Sequence, residues 1–526
     1  MKRLLAIGLV ILGASAVRAQ QADIDRWWAH IVYLSDDSMK GRQTGSPEHR
    51  KAAEYIADQF KKAGLKPGAA DGYLQPVEFV SRQIVEEKSS LAIVRNDVAE
   101  PVKLGEEMML NMRVDHAPSV DAPMVFAGYG LVIPEIKHDD LTGLDLKGKV
   151  AVVITGLPPG SEGPLGSHYS QNRWQGLREA GAIGTLQILN PKGMDIPWER
   201  QMPTRFQPQM VLSDKSMDEG AGQQLNAPVN PAEAEKLFAG SGHTFKEIVE
   251  LANAGQPMPH FALQGNIRSS VTVNRTPVRS ENVVGILPGS DPKLKNEYIV
   301  ITAHMDHLGT GNPVNGDSIY NGAMDNASGI ATLIETARAA AAKKGFKRSL
   351  AFVAVTAEEK GLLGSRYFAM NPTVPANAIV ANLNTDMFLP LFPMKSLIVA
   401  GIDESDMAAD LRKVAAATGI EVMSDPEPER NAFTRSDQYS FIRRGIPALS
   451  LKVGFTKNSP EHETVKKWRT ERYHGVTDDI TQPLDKQAAV DFNHLYLKVV
   501  EAVANRATRP AWNDSSFFKR FATQTH

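Results

Sequence analysis

The sequence predicts an α/β fold: a mixed, mostly parallel central sheet with helices on both faces, interrupted by a smaller α/β unit. Three observations carry this reading. Between residues 276 and 505, short apolar runs rich in β-branched residues alternate with helical patterns. Such continuously apolar strands belong in a sheet covered on both faces. A second strand–helix–strand pattern occupies residues 119–275 and reads as a separate inserted unit. Finally, the chemistry-bearing residues fall just after runs that read as strands, the rim where open α/β sheets bind ligands.

Taken in order, the chain opens with Lys2-Arg3, an apolar run from Leu4 to Gly13, and Val17-Arg18-Ala19. A basic stretch, a short apolar stretch and small residues at the −3 and −1 positions predict a signal peptide cleaved after Ala19, with export to a periplasm or the exterior. The run is too short to span a bilayer, so no stable membrane insertion is expected after cleavage. Residues 20–118 form a first block. There Ser46 is placed to cap a helix, Pro47 suits its first position, and Ala52, Ala53, Ile56, Ala57 and Phe60 recur at helical spacing until Gly64. Lys40 to Gly45 is a tight polar loop, and Ser90 to Val94 reads as a strand.

In the inserted unit, Met124–Ala127, Lys149–Thr155 and Gly181–Ile188 read as strands around a helix at Arg173–Ala180. In the last block, Tyr298–Thr302, Leu350–Thr356, Ala378–Leu383, Ser396–Ala400 and Ala448–Val453 are predicted strands. Gly329–Lys343, Ser405–Ala417 and Asp485–Arg506 are predicted helices. Residues 20–118 and 276–505 would then make one domain split by the insertion, and residues 506–526 a tail.

Composition narrows the function. The 526 residues are 42% hydrophobic and carry a net charge of −2 with no basic stretch, so nucleic acid is not an expected partner. There is no cysteine. A thiol nucleophile is excluded, and any metal must be held by imidazoles and carboxylates. Neither H-E-x-x-H nor G-x-S-x-G occurs, which removes the thermolysin-like helix site and the serine-hydrolase elbow.

The candidate residues lie far apart in the chain. His304 follows the Tyr298 strand, Asp325 precedes the Gly329 helix, Glu358-Glu359 follow the Leu350 strand, Asp386 follows the Ala378 strand, and His474 lies in a late loop. Two imidazoles and three carboxylates suit a pair of hydrolytic cations. A further carboxylate is needed to carry the proton from water to the leaving amine, and the Glu358-Glu359 pair can supply one of each kind. His307 is expected to pack beside the site rather than ligate. His138-Asp139-Asp140 is expected to be a solvated turn, and His462, between Glu461 and Glu463, a surface loop.

The ordered segments AHMDHLG, MDNASG, TAEEKGLLGS, NLNTDM and RYHGVTDD resemble the M28 family of co-catalytic zinc aminopeptidases. Ser436-Asp437-Gln438 resembles a further family segment, although the family often has His where Gln438 stands. LKGKVAVVITG followed by GLREAGAIGTLQIL resembles a protease-associated (PA) domain. The resemblance implies two zinc ions per chain, bridged by Asp325. His304 and Asp386 would hold one, Glu359 and His474 the other. Glu358 would be general base and then acid, with hydroxide generated at the metals attacking the first peptide bond of a peptide substrate. Asp306 would orient His304, and Tyr439 is a lesser candidate for helping an oxyanion. A metallocarboxypeptidase using Arg435, a dipeptidase, a glutaminyl cyclase and a non-catalytic receptor-like module are the alternatives. Oligomeric state is left open.

Overall fold

A strand that ends in a metal-binding type of residue organises the larger of two units. The computed structural model describes residues 20–194 and 196–523; the signal-peptide assignment on residues 1–19 lies outside the described residues. The chain divides into a unit of residues up to 77, 279–427 and 432 onward, and a second of residues 78–278 with 428–431.

The main sheet of the larger unit includes β1 (Val273–Leu287, within this unit from Arg279), β2 (Tyr298–His304), β3 (Ser349–Val355), β4 (Ile379–Asn384), β5 (Ser396–Ala400), β6 (Glu421–Met423) and β7 (Ala448–Val453). They run β1-β3-β2-β4-β7-β5-β6 across the sheet. β3, β2, β4 and β7 are parallel, while β1 and β5 are antiparallel to their inner neighbours. The sheet is therefore mixed and mostly parallel at its centre.

Alternation along the strands sends side chains into two layers. Ile299, Ile301 and Ala303 join Ile330 and Ile334 of α2 (Ser328–Lys343), Ile56 and Phe60 of α1 (Pro47–Lys62), and Phe492 and Val499 of the helix Lys486–Asn505. Val300, Val353 and Val355 pack instead on Phe368 of α3 (Leu363–Met370) and on Phe441 and Ile446. With both faces covered, β2, β3 and β4 are buried at every position after Tyr298, which is why they read as unbroken apolar runs. The helix starts follow the local chemistry. Ser46 Oγ accepts from His49 N at 3.0 Å with Pro47 in the first turn of α1. The tail does not trail away: Trp512 and Phe518 share an apolar cluster with Tyr439, and Trp512 Nε1 donates to Gly445 O at 2.9 Å.

The second unit is built on a seven-stranded sheet. Leu225–Val229, Gly184–Ile188, Val150–Ile154 and Ser119–Ala127 run parallel. His260–Ser270, Ser90–Arg95 and Val98–Val102 continue the sheet antiparallel. The boundary at residue 119 read from the sequence thus moves to Glu78. The hairpin of Ser90–Arg95 and Val98–Val102, closed by Asn96 and Asp97 at φ 48° and 62°, hydrogen-bonds to His260–Ser270, a pairing too distant in sequence for local pattern to show. Among the described residues no helix is long and apolar enough to cross a membrane.

Candidate active site

The C-terminal rim of the parallel strands gathers the ionisable residues. His304 is the last residue of β2, while Glu358 and Glu359 follow β3 and Asp386 follows β4. Asp325 precedes α2, and His474 follows α4 (Pro460–Glu471). His304 Nε2 lies 3.2 Å from Asp325 Oδ1 and 3.4 Å from Asp386 Oδ1. His474 Nε2 lies 3.3 Å from Asp325 Oδ2 and 3.2 Å from Glu359 Oε2. Asp325 therefore turns one oxygen to each imidazole. His304, Asp325, Glu359 and Asp386 are buried.

Local backbone chemistry aims these groups. Ala357 takes φ 55° as the chain leaves β3, and the next two amides, Glu358 N and Glu359 N, both donate to the Asp306 carboxylate at 3.0 and 3.3 Å. Thr44 Oγ1 donates to the same carboxylate at 3.1 Å. Asp306 thus holds the glutamate turn, and it meets His304 mainly through its backbone: His304 Nδ1 is 3.2 Å from Asp306 O and 3.9 Å from Oδ1. Asp478 accepts from Met324 N and Asp325 N at 2.8 and 2.9 Å. Asn326 Nδ2 donates to Thr385 O at 3.0 Å, while its Oδ1 accepts from Gly329 N at 3.0 Å and Met387 N at 3.3 Å. The Asp325–Asn326 peptide bond is cis.

His307 Nδ1 sits 2.9 Å from Glu359 Oε1, fixing that carboxylate from behind. Tyr439 is buried among Phe433, Ile442, Trp512 and Phe518. Gln438 accepts from Asn384 Nδ2 at 2.7 Å and donates to Phe433 O at 3.0 Å, so it tethers a loop to the end of β4. Two sequence readings are corrected. Asp140 is buried, with His138 Nε2 at 3.0 Å and His260 Nε2 at 3.2 Å; only Asp139 serves the turn, accepting from Leu141 N and Thr142 N. His462 is buried in α4, stacked 5.2 Å from Phe455 and accepting from Asn458 N at 2.9 Å. His260 reaches Asp140 from far along the chain, and Glu427 Oε1 comes within 3.3 Å of His462 Nε2; each histidine or carboxylate is buried although its neighbours in sequence are polar.

The electrostatics separate the two adjacent glutamates. Burial, with the charges of Asp386, Glu359 and Asp437, pushes the Glu358 carboxyl well above its ordinary range, against the pull of His304. Burial also opposes ionisation of Glu359, but the imidazoles of His474 and His307 hold it well below that range. Carboxyls of one type pushed in opposite directions from their ordinary range are suited to different parts, one to carrying a proton and one to staying an anion.

The donor set fits metal ions. His304, Asp325 and Asp386 present ligand atoms within 4.8 Å of one another, and so do His307, Asp325 and Glu359. His304 Nε2 and Asp386 Oδ1 are buried without a hydrogen-bond partner although they face each other. Lone pairs that converge on a shared point rather than on one another are arranged as ligands. A buried cluster of carboxylates also costs several kcal/mol per uncompensated ion, roughly, a cost that cations offset.

Residues 282–500 match the sequence model of Peptidase family M28. That stretch resembles peptidase family M28. Among curated relatives, the chain is 29% identical over 224 residues to Leupeptin-inactivating enzyme 1 of Streptomyces exfoliatus, covering 40% of this chain and 45% of the relative. It is 30% identical over 217 residues to Probable leucine aminopeptidase 2 of Aspergillus fumigatus, covering 39% and 38%. The chain spans less than half the length of these curated relatives. In fold, it is similar to an aminopeptidase from Aneurinibacillus sp. strain AM-1, with a TM-score of 0.55, 20% identity and coverage of 93% of this chain and 98% of the other. It is also similar to a zinc aminopeptidase from Bacillus subtilis, with a TM-score of 0.50, 19% identity and coverage of 91% and 94%. The M28 segment contains β2 to β7 and every residue of the rim cluster. Thr44, which donates to Asp306, lies outside it. Sequence reading missed Arg42, Asp478 and Asn326 because their partners are backbone groups, which leave no mark in the residue pattern.

Proposed function

We propose that the chain is an exported zinc-dependent aminopeptidase whose centre holds two ions, bridged by Asp325. One observation carries this reading: the two oxygens of Asp325 face two imidazoles, each of which also faces a second carboxylate, Asp386 or Glu359. His304 and Asp386 would hold one ion, His474 and Glu359 the other. When bound, zinc lowers the pKa of a coordinated water towards 7 and polarises the scissile carbonyl. Glu358 stands beside the ligands with a raised proton affinity. It would take the proton of the attacking water and pass it to the leaving amine, a role that contributes about 10²–10⁴-fold. The apolar layers around the rim keep the dielectric low and strengthen each of these interactions. Export rests on the basic-apolar-small pattern of residues 1–19, and the second unit is read as PA-like.

A carboxypeptidase reading is favoured by one feature: exposed Arg435, whose charge acts on Tyr473 beside His474. A panel of peptides with free or blocked N-termini, with zinc restored after chelation, decides. Cleavage confined to free N-termini supports the aminopeptidase. Cleavage that depends instead on a free C-terminus overturns it.

A further inference from the structure

Arg42 is 1% exposed and its guanidinium meets only backbone carbonyls. Nε donates to Met305 O at 3.1 Å, Nη1 to Leu34 O at 2.5 Å and Asn321 O at 2.6 Å, and Nη2 to Gly322 O at 3.0 Å. Met305 lies between His304 and Asp306, while Asn321 and Gly322 lead into Asp325. One rigid, planar group thus spans the two backbone segments that deliver His304 and Asp325. The opposite side of the second segment is held by Asp478, which accepts from Met324 N and Asp325 N.

The loop around Arg42 is built for this placement. Lys40, Gly41 and Arg42 take φ values of 42°, 66° and 46°, a run of left-handed residues that persists only where the surroundings enforce it. A Cβ on Gly41 would strike Tyr320 O and lie 2.5 Å from Gly309 O. The loop is therefore pressed onto the antiparallel strand pair Gly309–Val314 and Asp317–Tyr320, which runs into Asn321. Asp478, Asp306, Asp325 and Glu359 supply the charge that balances the buried guanidinium.

We propose that Arg42 is a positioning residue of the metal centre: by tying Met305 to Asn321 and Gly322 it sets the separation of His304 and Asp325. This rests on the metallopeptidase reading above. Lysine carries the same charge but only a single donor atom, and cannot span these carbonyls.

The test compares Arg42→Lys and Arg42→Gln with Arg348→Lys in the full chain. Arg348 is equally buried and bonds Glu297 and the Arg506 carbonyl, outside the metal centre. Metal affinity is read by chelator competition, geometry by the visible spectrum of the cobalt(II) form, and kcat and KM separately. Both Arg42 variants are expected to bind metal about 10–100-fold more weakly, to show an altered cobalt band, and to lose kcat with KM changed less than about threefold. Arg348→Lys is expected to lower thermal stability and leave the cobalt band as in wild type. Arg42 variants with wild-type affinity and spectrum, a spectral change shared by Arg348→Lys, or failure of both Arg42 variants to fold each overturn the assignment. Wild-type chain that takes up no cobalt overturns the metallopeptidase reading itself, and this proposal with it.

Discussion

Asp325 Oδ2 lies 3.3 Å from His474 Nε2, which joins the loop before α2 to the loop after α4. Because Oδ1 of the same carboxylate faces His304, removing it strikes both halves of the cluster at once. Asp325→Ala is expected to lose metal from both sites and activity with it. The check is metal content after gel filtration: a variant that keeps its full metal complement and turns over refutes the bridging role.

Glu358 and Glu359 are neighbours with different proposed tasks, and substitution separates them. Glu358→Gln keeps the shape and removes the proposed proton carrier, so turnover is expected to fall about 10²–10⁴-fold while metal content stays at the wild-type level. Glu359→Gln is expected to lose metal as well as activity. Elemental analysis beside a rate assay distinguishes them, and metal loss in Glu358→Gln means that residue is a ligand.

Metal should also hold the fold. Ions that bind the folded chain alone stabilise it by about 2.7 kcal/mol at a hundredfold excess over Kd, which is about 4 °C in Tm for a unit of roughly 300 residues. Zinc-loaded and chelated protein are expected to differ by that much in calorimetry. Equal melting temperatures count against a buried metal centre.

What could be read from the residues was the identity and strand-end placement of the rim cluster. His, Asp and Glu directly after apolar β-branched runs are visible in one dimension because β2, β3 and β4 are buried on both faces. The supports were not visible. Arg42 serves carbonyls, Asp478 serves amides, and Asn326 serves both, so any segment could have been their partner. Gln438 tethers a loop to the end of β4, a task its sequence neighbours do not announce. Burial also misled reading: His462 and Asp140 have charged or polar neighbours in sequence, but Glu427 and His260 meet them from afar, and Phe455 stacks on His462.

His49 gives a pH dependence with a defined sign. It is fully buried between Ser280 Oγ at 3.2 Å and Thr356 Oγ1 at 2.9 Å, and burial, with the charges of Arg42 and Arg50, drives its pKa from 6.5 down to about 3. Between those values the unfolded chain binds a proton that the folded chain refuses. Its stabilising contribution is therefore whole above about pH 6.5 and declines as pH falls towards 3, by about 1.4 kcal/mol per unit at most. Denaturant midpoints from pH 7 to 4 should fall less steeply for His49→Gln than for wild type. Parallel slopes would show that His49 is protonated in the folded state.

Gly329 tests whether packing beneath the centre controls its geometry. It opens the second position of α2, where Asn326 Oδ1 accepts its amide. A Cβ there would collide with Asn326 Oδ1 and lie 2.6 Å from Thr385 O. Both atoms belong to the staple that links Asp325 to Asp386: Asn326 follows one, Thr385 precedes the other, and they share a 3.0 Å hydrogen bond. The carbonyl of Thr385 is backbone at the end of β4 and cannot rotate aside, so Gly329→Ala must push α2 away from that strand or break the staple. Overpacking of a buried contact costs about 1–3 kcal/mol, and here the displacement falls between two proposed ligands. The variant is expected to fold with a lowered Tm and to bind metal more weakly than that stability loss alone explains. Ala340→Gly, in the same helix but away from the rim, should lose about 1 kcal/mol and keep its affinity. If the two variants bind metal equally well, the helix start does not govern the centre.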